Sequence, residues 1–263
     1  MSSPDVVFTA LFGGYESLNE LQIEKGPHTL YVCFTDDPLL ISETWEVRLV
    51  KPSVPNNPSR SSRDIKMSGH KYFPQGVRSL YIDNTVKLKV DGSIILDSWL
   101  GDANLAFMFH YSRKTVRGEF LVCSAYGLDE QSQIRKQFQL YKNTYPEVLS
   151  QRPFWGGMIA RINTPQTDVF MKEWKKQFDL FTRRDQLSIN ISSAISGIQI
   201  KPIVGNNDDS QWHEWPIYSN RIKEMRDSTS VKSFRKSRII LNLLRYGYYF
   251  YLPLRFNSKS LGD

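Results

Sequence analysis

The chain has 263 residues, a formal net charge of +7 and a sequence pI near 9.3. This length suits one large α/β domain, or one domain with a small appendage. The excess of Lys and Arg over Asp and Glu favours anionic partners such as nucleotide phosphates, acidic lipid headgroups or nucleic acid, without choosing among them. Cys33 and Cys123 both lie inside apolar runs, which excludes a disulfide framework and a zinc site.

The first residues, MSSPDVVF, lack the basic and then apolar regions of a cleaved signal peptide. No run in the sequence approaches the roughly 20 apolar residues that a spanning helix requires. We therefore expect a cytoplasmic protein.

Apolar runs that end in polar residues alternate along the chain with helix-like segments. Strands are predicted at 5–12, 30–37, 45–50, 78–85, 105–111, 154–162 and 198–204, and helices at 93–100, 128–145, 168–180 and from Asp185. The proline- and serine-rich segment 51–64 is predicted as a loop, followed by a short helix that ends before Pro74. This alternation predicts an α/β fold with a mostly parallel central sheet flanked by helices.

Polar residues that directly follow the predicted strands are the candidates for a ligand site, because open α/β sheets bind ligands beyond the carboxyl ends of their strands. Each such place alone is a weak signal, since glycines often serve only tight turns and acids often only cap helices. The places are Gly13-Gly14-Tyr15, Asp36-Asp37, Asp83-Asn84-Thr85, His110 with Arg113, and Gly156-Gly157.

Four blocks occur in a fixed order that is more specific than any one of them: FTALFGGYESL, KYFPQGVRSLYIDNTVKL, FMFHYSRKTVRGE and FTRRDQLSI. Over roughly residues 6–195 the chain resembles a glycosyltransferase-like family of plants and bacteria that is related to the glycogenin-like transferases. The resemblance implies a GT-A-like (Rossmann-like) fold and a nucleotide-sugar donor, with UDP as the expected nucleotide. It also implies a glycan or lipid-linked glycan as acceptor, and hence a role in polysaccharide biosynthesis.

The resemblance also implies roles for individual residues. Phe12, Gly13 and Tyr15 would lie near the base and ribose of the donor, and Asp36 would contact the base. Arg184, Asp185 and Gln186 match the family's Arg-Asp-Gln block, whose Asp-Gln pair lies beside the transferred sugar and the acceptor.

Chemistry supports several of these assignments. Glycosyl transfer passes through an oxocarbenium-like transition state, which a carboxylate such as that of Asp185 stabilises. The departing diphosphate needs positive charge, and we expect it beside His110, from Arg113, Lys114 and Arg117. The alternative, that these cations only solvate a loop, remains open.

A divalent cation is expected at Asp83, because a strand-end acid can hold a metal that bridges a diphosphate. Related enzymes carry Asp-x-Asp there, whereas this chain has Thr85 in the third position. His213, in QWHEWP, is the second candidate ligand, and phosphate oxygens would complete a Mn²⁺ or Mg²⁺ site. A packed, hydrogen-bonded histidine between two tryptophans is the alternative.

The sequence divides into a predicted transferase domain, 1–220, and a basic, aromatic extension, 221–263. Cations alternate with Ile, Leu, Tyr and Phe over 231–256, a composition typical of a segment that lies on a membrane surface. A helix that packs on the sheet and presents a basic edge explains the same pattern equally well.

A metal-assisted glycosyltransferase is thus the leading hypothesis. A noncatalytic anion- or nucleic-acid-binding α/β protein is the alternative, although the excess charge is concentrated in the tail and no nucleic-acid-binding motif is present. We accordingly expect no nucleic-acid partner. A glycoside hydrolase is a third option, but the sequence shows no second carboxylate placed as a general acid.

Overall fold

A computed structural model describes residues 3–217 of the chain. The strands in this part are β1 Asp5–Leu11, β2 Thr29–Thr35, β3 Glu46–Leu49, β4 Arg78–Ile82, β5 Lys87–Leu88, β6 Leu105–Phe109, β7 Phe154–Ile162, β8 Lys201–Ile203 and β9 His213–Glu214. The α-helices are α1 Pro58–Ser68, α2 Gly92–Leu100, α3 Val116–Ala125, α4 Gln131–Thr144, α5 Pro165–Leu180 and α6 Ile189–Ser196. Short 3₁₀ helices span Gly69–Tyr72, Val148–Ser150 and Asp185–Ser188.

The central sheet has seven strands in the order β3-β2-β1-β4-β7-β6-β8. β7 runs antiparallel to both of its neighbours, and all other pairs are parallel. The start of β7 therefore lies at the same sheet edge as the carboxyl ends of the other strands. β5 and β9 form a separate antiparallel pair.

Alternating side chains of the strands build a core on each face of the sheet, as a two-sided sheet requires. On one face, Phe8 of β1 packs in a cluster with Ile65 of α1 and Trp174 of α5. On the other face, Val7 of β1 shares a cluster with Trp99 of α2. The sequence prediction of a mostly parallel α/β sheet flanked by helices is confirmed.

The loop predicted at 51–64 is wrong at its end, because α1 begins at Pro58. The Asn57 side chain accepts a hydrogen bond of 3.1 Å from the backbone N–H of Arg60, and Pro58 occupies the first helical turn. Asn as N-cap and Pro directly after it start a helix, although both also occur in loops. The polar stretch after β6 contains the beginning of α3. Thr115 is the N-cap of this helix, and its hydroxyl accepts a 3.0 Å hydrogen bond from the backbone N–H of Gly118.

The predicted extension 221–263 and its membrane-surface segment 231–256 lie outside the described residues. Within 3–217, no helix combines the length and the apolar character needed to cross a membrane.

Candidate active site

A pocket of about 430 Å³ lies where β4 and β6 end and β7 begins. It gathers predicted site residues from several distant parts of the sequence. Those that line it are Asp83, His110, Arg113, Gly156, Gly157, Arg184, Asp185 and Gln186. Residues that were not predicted as site residues also line it, among them Arg63, Lys66, Glu119, Trp155, Asp208 and Trp215.

Lys66 of α1 joins the two central carboxylates of this pocket. Its Nζ lies 2.5 Å from Oδ2 of Asp185 and 3.4 Å from Oδ1 of Asp83. Arg63, one helical turn earlier, places its Nε 3.5 Å from the same Asp185 oxygen. The Lys66 side chain is only 2% exposed and that of Asp185 only 9%, so water screens this pair poorly.

The charges in this cluster fix the protonation state of Asp185. Burial by itself raises the pKa of the carboxyl group, but the charges on Lys66 and Arg63 outweigh it and lower the pKa to about 2. Burial also lowers the pKa of Arg63, and the acids Asp83 and Asp185 reverse this and raise it. Asp185 is therefore a carboxylate, and Arg63 a cation, at any pH near neutrality.

The backbone around Asp185 holds its carboxylate towards the pocket. Asp185 begins a 3₁₀ turn, where its Oδ1 accepts a 3.0 Å hydrogen bond from Gln186 N–H. Its carbonyl accepts a 3.0 Å bond from the buried indole of Trp174 on α5. Arg184 and Gln186, on either side, both line the cavity.

Gly156 leaves room for the ion pair. A Cβ atom at this position would lie 3.1 Å from Nζ of Lys66 and 3.5 Å from Oδ2 of Asp185. Gly156 thus has a steric role in the pocket, since a larger residue would crowd the ion pair.

The pocket lining also includes a second charge pair. Nε of Arg113 donates a 2.9 Å hydrogen bond to Oε2 of Glu119, whose side chain is only 4% exposed. His110 lies beside them, and burial, only partly opposed by the charge of Glu119, lowers its pKa to about 4. The imidazole is therefore neutral near pH 7. Glu119 supplies the second buried carboxylate that sequence reasoning did not find.

The residues predicted to contact the base and ribose lie near the ends of β1 and β2, outside the lining of this pocket. Gly13 N–H donates a 2.9 Å hydrogen bond to Oδ1 of Asp36, which joins the two blocks. Phe12 is 1% exposed, and its ring packs in the core on one face of the sheet. Tyr15 lies close enough to Arg63 to contribute to the raised pKa of that guanidinium. Their nucleotide-contacting roles stay predictions.

The residues around Asp83 do not fit a divalent cation. Oδ1 of Asp83 accepts a 2.8 Å bond from the hydroxyl of Tyr81 in addition to its contact with Lys66. Thr85 Oγ1 accepts a 3.1 Å bond from the indole of Trp215. Over residues 3–217, no group of three or more His, Cys, Asp or Glu side chains is placed to hold a metal ion by itself.

His213 is engaged through both ring nitrogens. Nδ1 lies 2.8 Å from Oγ of Ser210 and Nε2 lies 2.9 Å from the carbonyl oxygen of Asn207. The ring is fully buried and stacks on Trp155 with centroids 5.3 Å apart. This is the packed arrangement considered as the alternative in the sequence, and the predicted metal role of Asp83 and His213 stays a prediction.

Sequence reasoning missed Arg63, Lys66 and Glu119 as site residues because it searched only the ends of the predicted strands. All three lie on helices, α1 and α3. The available signal was spacing: Arg63 and Lys66 stand three apart, which places them on the same face of a helix.

The protein is an α/β domain with polar and charged side chains at the carboxyl edge of a mostly parallel sheet, the edge at which such domains bind ligands. Residues 32–201 match the family TOD1/MUCI70, glycosyltransferase-like domain, and the protein belongs to this family. The resemblance expected from the four sequence blocks is thereby confirmed.

One curated relative is the probable hexosyltransferase MUCI70 of Arabidopsis thaliana, which is 30% identical over 155 residues. The match covers 56% of this chain and 27% of the relative, so the chain spans about a quarter of that protein's length. Among solved structures, the apo form of mouse xyloside xylosyltransferase 1 superposes with a TM-score of 0.43 at 10% identity, over 76% of this chain and 84% of that one.

Proposed function

We propose that this protein transfers a sugar from a nucleotide-sugar donor, with UDP as the nucleotide, to a glycan or lipid-linked glycan acceptor. The observation that carries the proposal is Asp185, a buried carboxylate that Lys66 and Arg63 keep ionised inside the pocket. Membership of a glycosyltransferase-like family supports it.

In the proposed reaction the bond between the anomeric carbon and the diphosphate oxygen breaks, and its electron pair goes to the diphosphate. The acceptor hydroxyl oxygen bonds to the same carbon, and its proton passes to the released diphosphate. Positive charge develops on the sugar ring during this exchange, and the fixed carboxylate of Asp185 stabilises it. Gln186 and Arg184, which line the cavity beside it, are proposed to orient the sugar.

Other cations of the pocket are proposed to bind the diphosphate. Arg63 is 27% exposed in its side chain and Arg113 is 24% exposed, so both guanidinium groups reach the cavity while part of each is buried. A guanidinium has five N–H donors in a fixed fork, and these bind phosphate oxygens in pairs.

The proposal extends to where the protein acts. A lipid-linked acceptor lies in a membrane, and the basic, aromatic segment 231–256 is proposed to place a cytoplasmic enzyme at that surface. Liposome flotation of the full chain and of a chain without residues 231–263 tests this. Equal flotation of both proteins would remove the membrane contact from the proposal.

The main experiment measures donor binding and transfer with the full chain. UDP-, GDP- and CDP-sugars are screened by thermal shift, and the donor that raises the Tm is used in a transfer assay. Asp185→Asn should lower kcat by about 10² to 10³, the loss typical of a removed electrostatic group in a transition state. Asp179→Asn is the matched control, because Asp179 lies on α5 with a side chain that is 48% exposed.

Two results would contradict the proposal. The first is the absence of a Tm rise with every nucleotide sugar of the panel. The second is a kcat for Asp185→Asn equal to that of Asp179→Asn. Release of free sugar without any acceptor, at the same rate as transfer, would instead indicate a hydrolase.

A further inference from the structure

The structure and the expected metal disagree at Asp83, and the disagreement has a specific cause. The ammonium group of Lys66 already occupies the space between the two acids. Its Nζ lies 3.4 Å from Oδ1 of Asp83 and 2.5 Å from Oδ2 of Asp185. Lys66 is held there by the fold, because its side chain is only 2% exposed and its Nζ lies against Gly156 at the start of β7.

A buried hydrogen bond fixes the helix that carries Lys66. The guanidinium of Arg161, on β7, donates a 3.0 Å hydrogen bond to the carbonyl oxygen of Lys66. Arg161 is completely buried, and its guanidinium packs over the ring of Phe8 at 5.0 Å. The main chain at Lys66 is therefore anchored to the sheet, and its ammonium group has little freedom to leave the carboxylates.

The side chains that a metal would need have other partners. Thr85, which replaces the second acid of the related motif, is bonded through Oγ1 to Trp215, and both nitrogens of His213 are bonded. A dication beside Asp83 would also face Lys66 and Arg63, and both cations lie close to the two acids. Like charges at such distances repel strongly in a poorly solvated pocket.

We propose that donor binding in this protein does not use a divalent cation: Lys66 takes its place at Asp83, and Arg63 contacts the donor's diphosphate. Arg63 has N–H groups to spare, since its Nε faces Asp185 and a guanidinium carries five donors. The inference rests on the proposed function, because it concerns the diphosphate of the same donor.

The test is isothermal titration of UDP into the full chain, once with excess EDTA and once with Mn²⁺. The Kd should agree within about threefold between the two conditions, whereas a metal-bridged diphosphate would bind at least about tenfold more tightly with Mn²⁺. Electron paramagnetic resonance gives a second readout. The free Mn²⁺ signal in the presence of protein and UDP should equal that with UDP alone.

Variants separate the role of Lys66 from a merely structural one. Lys66→Met should weaken UDP binding in EDTA by at least about tenfold, and Mn²⁺ should restore part of it, because Asp83 and Asp185 are then free to hold a cation. Arg63→Gln, at a partly exposed position, should show the same loss in EDTA and remains informative if Lys66→Met fails to fold. Lys87→Met, at a surface pair 3.9 Å from Glu214, is the control and should bind like the unmodified chain.

The outcomes are distinct. UDP binding that requires Mn²⁺ overturns the inference and leaves the proposed function standing. Binding that is insensitive to EDTA but unchanged in both Lys66→Met and Arg63→Gln overturns the role of these residues. A chain that binds none of the nucleotides UDP, GDP and CDP, with or without Mn²⁺, overturns the proposed function itself.

Discussion

Lys66 and Asp185 form a buried ion pair with 2.5 Å between Nζ and Oδ2, although α1 and the 3₁₀ turn that carry them are far apart in the sequence. The pair determines both where the carboxylate points and that it is charged. It also joins two distant segments of the chain at the sheet edge, so we expect stability and the proposed activity to depend on the same contact.

Lys66→Met should destabilise the protein by about 3 kcal/mol, because it leaves the buried carboxylate of Asp185 without its nearest cation. Arg63, at 3.5 Å from Asp185, limits the loss. Urea denaturation followed by circular dichroism measures the difference in the free energy of unfolding. Lys87→Met removes an ion pair that is largely in water, and its effect should stay below about 1 kcal/mol. Equal effects of the two substitutions would contradict a buried role for Lys66.

Asp185 should not set the acid limit of activity. Its pKa of about 2 means that the carboxylate stays ionised wherever the protein is folded, so kcat should be independent of this group from about pH 5 to about pH 8. Arg63→Gln removes one of the charges that depress this pKa, but Lys66 remains, so kcat of this variant should also be independent of Asp185 over this range. The measurement is the pH profile of kcat for both proteins. An Asp185-dependent loss of activity near pH 6 in the unmodified chain would contradict the expected charge state.

Gly156→Ala should reduce transfer more than it reduces stability. The new methyl group would lie 3.1 Å from Nζ of Lys66 and 3.5 Å from Oδ2 of Asp185, so the ion pair must shift. Gly118→Ala, in the first turn of α3, is a suitable control. Its new methyl group would lie 3.3 Å from the Thr115 hydroxyl, which is similar crowding, but it would not meet Lys66 or Asp185. A kcat for Gly156→Ala equal to that of Gly118→Ala would show that the pocket tolerates the methyl group.

The sequence predicted the fold better than it predicted the site. Apolar runs found all seven strands of the central sheet, because buried strands have a local signature that does not depend on their neighbours. The strand-end rule also placed Asp83 and His110 correctly at one pocket. That Asp185 would belong to the same site was expected from the family resemblance alone.

What the sequence did not predict depends on contacts between distant segments. Nothing local distinguishes Lys66 from any other lysine on a helix, and only the packing of α1 against β7 buries it between two acids. The antiparallel direction of β7 has no signature in its residues either, yet it brings Gly156 to the pocket. The hydrogen bonds of His213 are local, in contrast, because Ser210 and Asn207 are only three and six residues away. They still depend on the shape of the turn between these residues, which the sequence did not predict.

Three of the four histidines should make the protein sensitive to mild acid. Burial lowers the pKa of His70 to about 3 and of His110 to about 4, and lowers that of His213 as well. An unfolded histidine has a pKa near 6.5, so below that pH the unfolded chain binds protons that the folded chain does not. The stabilising effect of the neutral rings is complete above about pH 6.5 and falls as the pH drops towards 4, by up to about 1.4 kcal/mol per pH unit for each histidine.

Urea titrations across this window measure how steeply the free energy of unfolding changes with pH. His110→Asn should make this slope shallower by about one histidine's share. The exposed-loop control Asn56→Gly, at a position with positive φ, should leave the slope unchanged. A slope that is equally steep in His110→Asn would show that His110 titrates normally in the folded protein.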